Sequence, residues 1–313
     1  MTHNLFLGMY TFSIKKIHTS NKKKTEINEY LSIAYPDTSG SKFGNGFVQD
    51  VISFIDQKAY KNERNTHGGI MSEKDFNISD RTLDLLIDGG ITGLKQFIID
   101  ESGKKTVLSD GEIIGPKFFC RIWLPANTNT GYLFIQKYGS LSIKPLFDSI
   151  IKDVLKLRGF SIVTGTLKPS TTKARQKAFM KHSTLKDITI VSKSSSHNTG
   201  AADATTAEIR LKNFVPIKNT KVSIDEMVKS ACENHGFTLE NRNYEIKGTY
   251  RAETNGLTQE RTTTLDSTEE TINIIPSIVV PTGCIDSDNY PIFSKMQELV
   301  KNEMMVIKKE AKI

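Results

Sequence analysis

The stretch 117–158, KFFCRIWLPANTNTGYLFIQKYGSLSIKPLFDSIIKDVLKLR, decides the fold of this chain. Residues 117–124 and 131–138 are aromatic and β-branched runs on either side of a polar connection, which is typical of a β-hairpin. In the remainder, apolar residues recur at helical spacing, Pro145 suits the first turn, and Gly159 is placed to end the helix. The stretch therefore predicts a β-β-α unit whose helix buries one face.

Further strands are expected on both sides of this unit. Aromatic and β-branched residues carry the strand pattern over 4–18, 160–166, 187–192, 207–214, 243–252, 259–265 and 272–280. Asn255-Gly256 is a pair that typically turns a hairpin. The polar segment 35–77, which includes the apolar piece Phe47–Ile55, is interpreted as short strands and loops.

Three more helices are predicted from start and stop signals. One covers 79–88 and is stopped by Gly89-Gly90. A second runs over 223–236, with Glu226 at the spacing of a reciprocal cap. The third begins at Pro291, and its apolar side must pack on its own sheet or on a partner subunit.

This order, strands and then a helix twice over, indicates an α+β fold with two lobes of mainly antiparallel sheet, each packed with helices, and a C-terminal helix. The composition becomes strongly basic after residue 166. We therefore expect an N-terminal lobe at 1–166, and at 167–313 the basic segment, a second α+β lobe and the terminal helix. A length of 313 residues with 37% hydrophobic content supports a sizeable core.

Composition narrows the class of function. The 42 lysines and arginines exceed the 35 acidic residues, and the resulting charge of +7 favours anionic partners. Cys120, Cys232 and Cys284 are widely spaced, and the six histidines have no metal-binding spacing, so we expect neither a disulfide framework nor a metal or cofactor. No run approaches the roughly 18 apolar residues of a membrane span. The expected location is the cytoplasm.

The strongest local signal for function is the basic segment 168–186, which contains no acidic residue. When such a cluster contacts the phosphates of a nucleic acid, condensed counterions are released. Binding of this kind weakens as salt rises and does not depend on the base sequence. A solvated polar loop is the alternative interpretation. The candidate nucleic-acid-binding residues here are Lys168, Lys173, Arg175, Lys177, Lys181 and Lys186.

Two other groups carry candidate chemistry. Lys15, Lys16, Lys22, Lys23 and Lys24 form a second basic cluster, which suits either phosphate contact or a soluble, unpaired strand edge. Glu245 and Lys247 have the Glu-x-Lys spacing of a magnesium-dependent nuclease core. Such a core also needs an acid on a preceding strand, whereas Asp225 lies in a predicted helix, so an exposed strand with paired charges is the alternative.

Four segments, in this order, resemble a known family. They are the lysine-rich turn at 21–31, KFFCRIWLPANTNTGYLFIQKYGSLSIKPLFDSIIKDVL at 117–155, TLKPSTTKARQKAFMKHSTLKDITIV at 166–191 and NYEIKGTYRAETNGLTQERTTTL at 243–265. Their succession is similar to that of RexA, the cytoplasmic sensor family of lambdoid phage exclusion. KwaB of the Kiwa defence system, which binds DNA and partners a small membrane protein, is a neighbouring resemblance.

The resemblance implies a two-lobed homodimer that binds double-stranded DNA, senses phage nucleoprotein and signals to a small membrane-protein effector. It assigns DNA contact to Lys168, Lys173 and Arg175 at the matching turn. We therefore expect a non-enzymatic, largely sequence-independent DNA-binding protein of antiviral defence, without catalytic residues or a small-molecule substrate. The alternatives are a magnesium-dependent nuclease and a protein-interaction module whose positive charge is incidental.

Overall fold

A computed structural model of the chain describes residues 5–17, 46–56, 58–77, 79–93, 97–109, 111–126, 128–193, 206–211, 244–254, 257–264 and 274–312. Lys22–Lys24, the helix predicted from Ser223 and the turn pair Asn255-Gly256 lie outside these residues. The chain divides into two compact units. The first unit is Met1–Thr172 with Ser277–Ile313, and the second unit is Lys173–Pro276.

This division differs from the expected one in one respect. The predicted boundary after residue 166 lies close to the first division, but the C-terminal helix belongs to the first unit and not to the second. The second unit is thus an insertion between two parts of the first. The order of segments along the chain assigned the terminal helix to the second lobe. It belongs to the first unit because it packs on strands that are distant from it in sequence.

The α+β class, with antiparallel sheets and a C-terminal helix, is confirmed. The described helices are α1 (Phe47–Ile55), α2 (Lys144–Leu157), α3 (Lys173–His182) and α4 (Phe293–Ala311). The strands are β1 (Leu5–Lys16), β2 (Tyr60–Lys61), β3 (His67–Asn77), β4 (Thr82–Ile91), β5 (Phe97–Ile99), β6 (Lys105–Val107), β7 (Lys117–Trp123), β8 (Thr130–Tyr138), β9 (Leu141–Ser142), β10 (Phe160–Ile162), β11 (Lys168–Ser170), β12 (Ser183–Lys193), β13 (Thr206–Leu211), β14 (Tyr244–Thr254), β15 (Leu257–Thr264) and β16 (Ile278–Val279).

The first unit is built on one large sheet in the order β10-β1-β8-β7-β4-β3-β2. The predicted hairpin is confirmed as β7 and β8, with Cys120 opposite Ile135. Strand β1 runs along β8, from Leu5 opposite Tyr138 to Ser13 opposite Thr130. β11 and β16 also pair with β1, so the N-terminal strand joins the segments that directly precede and follow the second unit in sequence.

Helices cover both faces of this sheet. On one face, α1 and α2 pack in a cluster that includes Phe12, Phe47, Ile122, Ile135 and Ile150. On the other face, the apolar side of α4 packs in a cluster that includes Leu7, Phe119, Trp123, Phe134 and Met296. The apolar side of the terminal helix therefore lies against its own sheet. Of the two partners that the amphipathic pattern allows, its own sheet and a second subunit, the apolar side of α4 is therefore already occupied by the first.

Two local predictions are wrong. The range 79–88, predicted as a helix, begins with a turn and continues as β4. This strand is buried on both faces of the sheet, so its apolar residues do not alternate strictly with polar ones as they would in a half-exposed strand. The piece Phe47–Ile55, predicted as strand or loop, is α1, whose apolar residues share one buried face. The strands predicted over 160–166 and 272–280 are shorter than expected, covering only β10 and β16 of the described residues.

Gly89 and Gly90 lie inside β4 and do not end a helix. They permit a close backbone approach: a Cβ atom on Gly90 would lie 2.0 Å from the carbonyl oxygen of Ile114, and one on Gly115 would lie 1.9 Å from that of Gly89. At the same place, Ile91 and Ile114 form an antiparallel bridge. Glycine is required here because any larger side chain would separate the two segments.

A buried ion pair joins the sheet to α4. Arg121 of β7 donates from Nε and Nη2 to both carboxylate oxygens of Asp84 of β4, at 2.5 and 2.6 Å. Gln297 of α4 donates to the same carboxylate at 2.9 Å, and Arg121 Nη1 lies 3.5 Å from the sulfur of Met304. The charges are paired and hydrogen-bonded, which is the condition under which proteins tolerate buried ions.

Asp84→Ala is expected to lower the free energy of unfolding by about 3–5 kcal/mol, because Arg121 would keep a buried charge without its partner. Urea denaturation followed by circular dichroism measures the difference. The matched control is Glu298→Ala, which removes an exposed carboxylate from its pair with Lys295 and should cost less than about 1 kcal/mol. Equal decreases in the two variants would contradict a special role for the buried pair.

Gly90→Ala is expected to lower the free energy of unfolding by about 1–3 kcal/mol, because the added methyl group overlaps the backbone of Ile114. Gly283→Ala serves as the control, since its Cβ would have no atom within 4 Å, and should change stability by less than about 0.5 kcal/mol. Thermal denaturation of both variants makes the comparison. An unchanged melting temperature for Gly90→Ala would show that the close approach is unimportant.

Candidate nucleic-acid interface

The basic helix α3 lies on the sheet of the second unit, whose strand order is β13-β12-β14-β15. Phe179 of α3 packs in a buried cluster with Tyr250 and Ala252 of β14 and with Ile274. Phe179 is the one buried residue of the helix. The predicted basic segment is therefore not a solvated loop. Phe179 anchors the helix, with Met180 packed against the same cluster, and the lysines at 173, 177 and 181 stay exposed.

Three lysines form a stripe along the outside of α3. Lys173, Lys177 and Lys181 are all exposed, and their spacing of four residues places them on one helix face. With a rise of about 1.5 Å per residue, the stripe extends for roughly 12 Å. Among the described residues, Lys177 and Lys181 form no ion pair. We call Lys173, Lys177 and Lys181 the lysine stripe.

The stripe is not explained by the needs of the helix. The first turn of α3 contains no acidic residue and begins with Lys173, although a positive charge at a helix N-terminus opposes the helix dipole. Lys181 and His182 in the last turn are favourably placed. Charge at the unfavourable end is a small cost to stability, which a role in binding an anion would account for.

Lys186 differs from the lysine stripe, although it belongs to the same acid-free stretch of sequence. Its Nζ lies 2.7 Å from Oε1 of Glu260 on β15, and Arg251 Nε lies 3.9 Å from the same oxygen. The carboxylate comes from a strand that is distant in sequence but belongs to the same sheet. The absence of acidic residues from 168–186 in sequence therefore does not mean that no acidic residue lies near Lys186 in space.

The other candidates are divided between the units. Lys168 is exposed on β11, opposite Thr11 of β1, and so belongs to the first unit. Lys15 and Lys16 are also exposed in the first unit, where they pair with β10. Arg175 lies on α3 but is half-buried.

The Glu-x-Lys pair lies on β14, as predicted, although the side chain of Glu245 is outside the described residues. Sequence reasoning missed Asp187 on the neighbouring strand β12. Asp187 lies opposite Thr249 and Thr189 lies opposite Lys247, so Asp187 and Lys247 share one face of the sheet. The pattern of alternation in DITIV was the available signal, since it places Asp187 on the face opposite the isoleucines.

This carboxylate is already neutralised. Asp187 is buried, and Nη2 of Arg210 lies 2.9 Å from its Oδ2. Across the part of the chain that the structure describes, no three histidine, cysteine, aspartate or glutamate residues come together as a metal site. The paired charge agrees with the alternative interpretation, although Asp187 itself is buried and not exposed.

The described cysteines are not candidate nucleophiles. Burial raises the pKa of the Cys120 thiol well above its ordinary value, and the charge of Asp84 raises it further. Burial is also the main cause that raises the pKa of Cys284. Because the thiolate is the reactive form, both thiols are in environments that suppress reactivity.

Comparison with protein-family models, with curated proteins and with solved structures finds no significant match to this chain. No helix in the described ranges is long and apolar enough to cross a membrane. The arrangement of the residues themselves therefore carries the functional interpretation.

Proposed function

We propose that this protein is a non-enzymatic nucleic-acid-binding protein that contacts the phosphates of double-stranded DNA through α3. The observation that carries the proposal is the lysine stripe, three exposed lysines on one face of a helix without acidic residues. Lysine is a point charge that attracts phosphate without demanding a particular base. Each phosphate that it neutralises releases counterions, which supplies affinity for any sequence.

The residues of α3 that could recognise bases are not directed outward, which supports binding that does not depend on the base sequence. Arginine and glutamine are residues that recognise base edges with paired hydrogen bonds. Arg175 is half-buried, and Gln176 donates from Nε2 to the carbonyl oxygen of Ile274 at 3.0 Å. Gln176 therefore holds the helix to its own unit, and the lysines are left as the outward-facing charges.

The resemblance to RexA and KwaB extends this proposal to a biological setting. It supports a sensor of bacterial antiviral defence that acts in the cytoplasm as a homodimer and signals to a small membrane-protein effector. Double-stranded DNA is then the ligand on which such a sensor acts. The lysine stripe is the site that we propose for that ligand.

The proposal predicts salt-sensitive binding that depends on the lysine stripe. Fluorescence anisotropy of a short duplex of arbitrary sequence, measured over a salt series beside the same single strand, gives the affinity and its slope. In the variant K173Q/K177Q/K181Q, the slope of log K against log salt should become shallower by about 0.9 for each phosphate that is no longer neutralised. Affinity at low salt should fall with it.

The matched control is K301Q/K309Q/K312Q, which removes the same formal charge from exposed positions of α4 or just after it. It should retain the wild-type slope. Equal decreases in both variants would mean that overall charge, and not the stripe, attracts the duplex. If the wild-type chain binds no nucleic acid even at low salt, the positive charge is incidental and the protein-interaction module becomes the better interpretation.

A plasmid assay with Mg²⁺ tests the nuclease alternative. We expect the plasmid to be bound and to stay supercoiled, because Asp187 is held by Arg210. Gel electrophoresis after incubation with and without Mg²⁺ is the measurement. Nicking that requires Mg²⁺ and disappears in Lys247→Ala would overturn the non-enzymatic proposal.

A further inference from the structure

Among the described residues of the first unit, ten large apolar side chains are exposed, and four of them belong to the hairpin of β5 and β6. Its register places Phe97 opposite Val107 and Ile99 opposite Lys105. The exposed fractions are 52% for Phe97, 54% for Ile98, 59% for Ile99 and 58% for Val107. These two strands form a sheet of their own, separate from the main sheet of the unit.

This exposure is physically unfavourable. A two-stranded hairpin alone is only marginally stable in water, and such elements usually depend on a third strand or on packing against an apolar surface. Contiguous exposed apolar patches on folded proteins commonly mark interaction sites. Aromatic residues within an apolar patch are also typical of the centre of protein interfaces.

The charges of the hairpin indicate the kind of partner. Within 97–107 the acidic residues are Asp100 and Glu101 and the basic residues are Lys104 and Lys105, so the formal charge is −2 + 2 = 0. In a chain with a net charge of +7, this neutral patch is not suited to a polyanion or to an anionic lipid surface. The acids follow β5 and the lysines lead into β6, so the two signs lie on opposite sides of the hairpin.

We propose that the β5–β6 hairpin is the contact surface between two copies of this chain, an inference that rests on the homodimer of the proposed function. A two-fold axis parallel to the strands places β5 of one copy against β6 of the other. Phe97, over whose ring Nζ of Lys105 of the same copy lies at 3.8 Å, then faces Val107 of the second copy. Glu101 faces the lysines of the second copy, while Asp100 accepts hydrogen bonds from Ser102 and Lys104 of its own turn. Apolar surface meets apolar surface and Glu101 meets the opposite charge, which is the self-complementarity that a two-fold contact requires.

The oligomeric state of the full chain, measured by sedimentation velocity over a concentration series without nucleic acid, tests this surface. The wild-type chain should dimerise, and F97S/I99S should remain monomeric over the same range. The control is L157S/V163S, because Leu157 and Val163 are also exposed in the first unit but lie outside the hairpin. Circular dichroism confirms that each variant is folded.

Exchange of charge gives a sharper test. Glu101→Lys and Lys104→Glu should each weaken self-association by roughly tenfold or more, because like charges would meet across the two-fold axis. An equimolar mixture of the two variants should associate again, because each lysine then faces a glutamate. A partner other than a second copy would not produce this recovery.

A wild-type chain that is monomeric at every concentration overturns the proposal, and so does F97S/I99S that still dimerises. Absence of recovery in the mixture overturns the proposed two-fold arrangement. These outcomes are separate from those for α3, since no nucleic acid is present. Weaker duplex binding in the lysine-stripe variant with unchanged dimerisation would show that the two surfaces act independently.

Discussion

The buried pair between Arg121 and Asp84 is the constraint on which the first unit depends. Two opposite charges can remain in an apolar interior only where their geometry satisfies both. The pair therefore holds β7 and β4 in one register, and Gln297 adds α4 to the same carboxylate. Because α4 follows the second unit in sequence, this pair also closes the first unit across a long insertion. It joins residues that no local pattern relates.

The lysine stripe has a different physical basis. It does not depend on the buried pair, because α3 is anchored within the second unit by Phe179 and its neighbours. The helix buries one side chain almost completely and leaves three lysines exposed. A surface of this type binds by long-range attraction to phosphate, so it tolerates variation in the sequence of the ligand.

The β5–β6 hairpin differs from both. Its apolar side chains are exposed, and its balanced charges make it neutral within a basic protein. A surface that binds a polyanion needs an excess of positive charge. A surface that binds a second copy of itself needs charges of both signs. The two proposed functions lie on separate elements, so the charge that each one needs does not conflict with the other.

Much of the fold was predictable wherever neighbours in sequence are also neighbours in space. The hairpin of β7 and β8, the helix α2, the strand pair β14 and β15 and the terminal helix all follow from periodicity and turn residues. The lysines of the stripe were predicted as candidates from the absence of acidic residues in 168–186, whereas the helix that aligns them was not predicted. These features are local, and local spacing is what a sequence displays.

Only the tertiary structure decided what depends on distant partners. The apolar run of β4 fits a helix or a strand, and burial on both faces made it a strand. In sequence, Lys186 is equivalent to the lysines of the stripe, but in the structure Glu260 of β15 pairs with it. Likewise, only the pairing of β12 with β14 shows that Asp187 and Lys247 share one face of the sheet. The terminal helix carried the same apolar stripe whichever unit it packed on. Burial and charge pairing are properties of three-dimensional neighbours, and these are set by which distant segments meet.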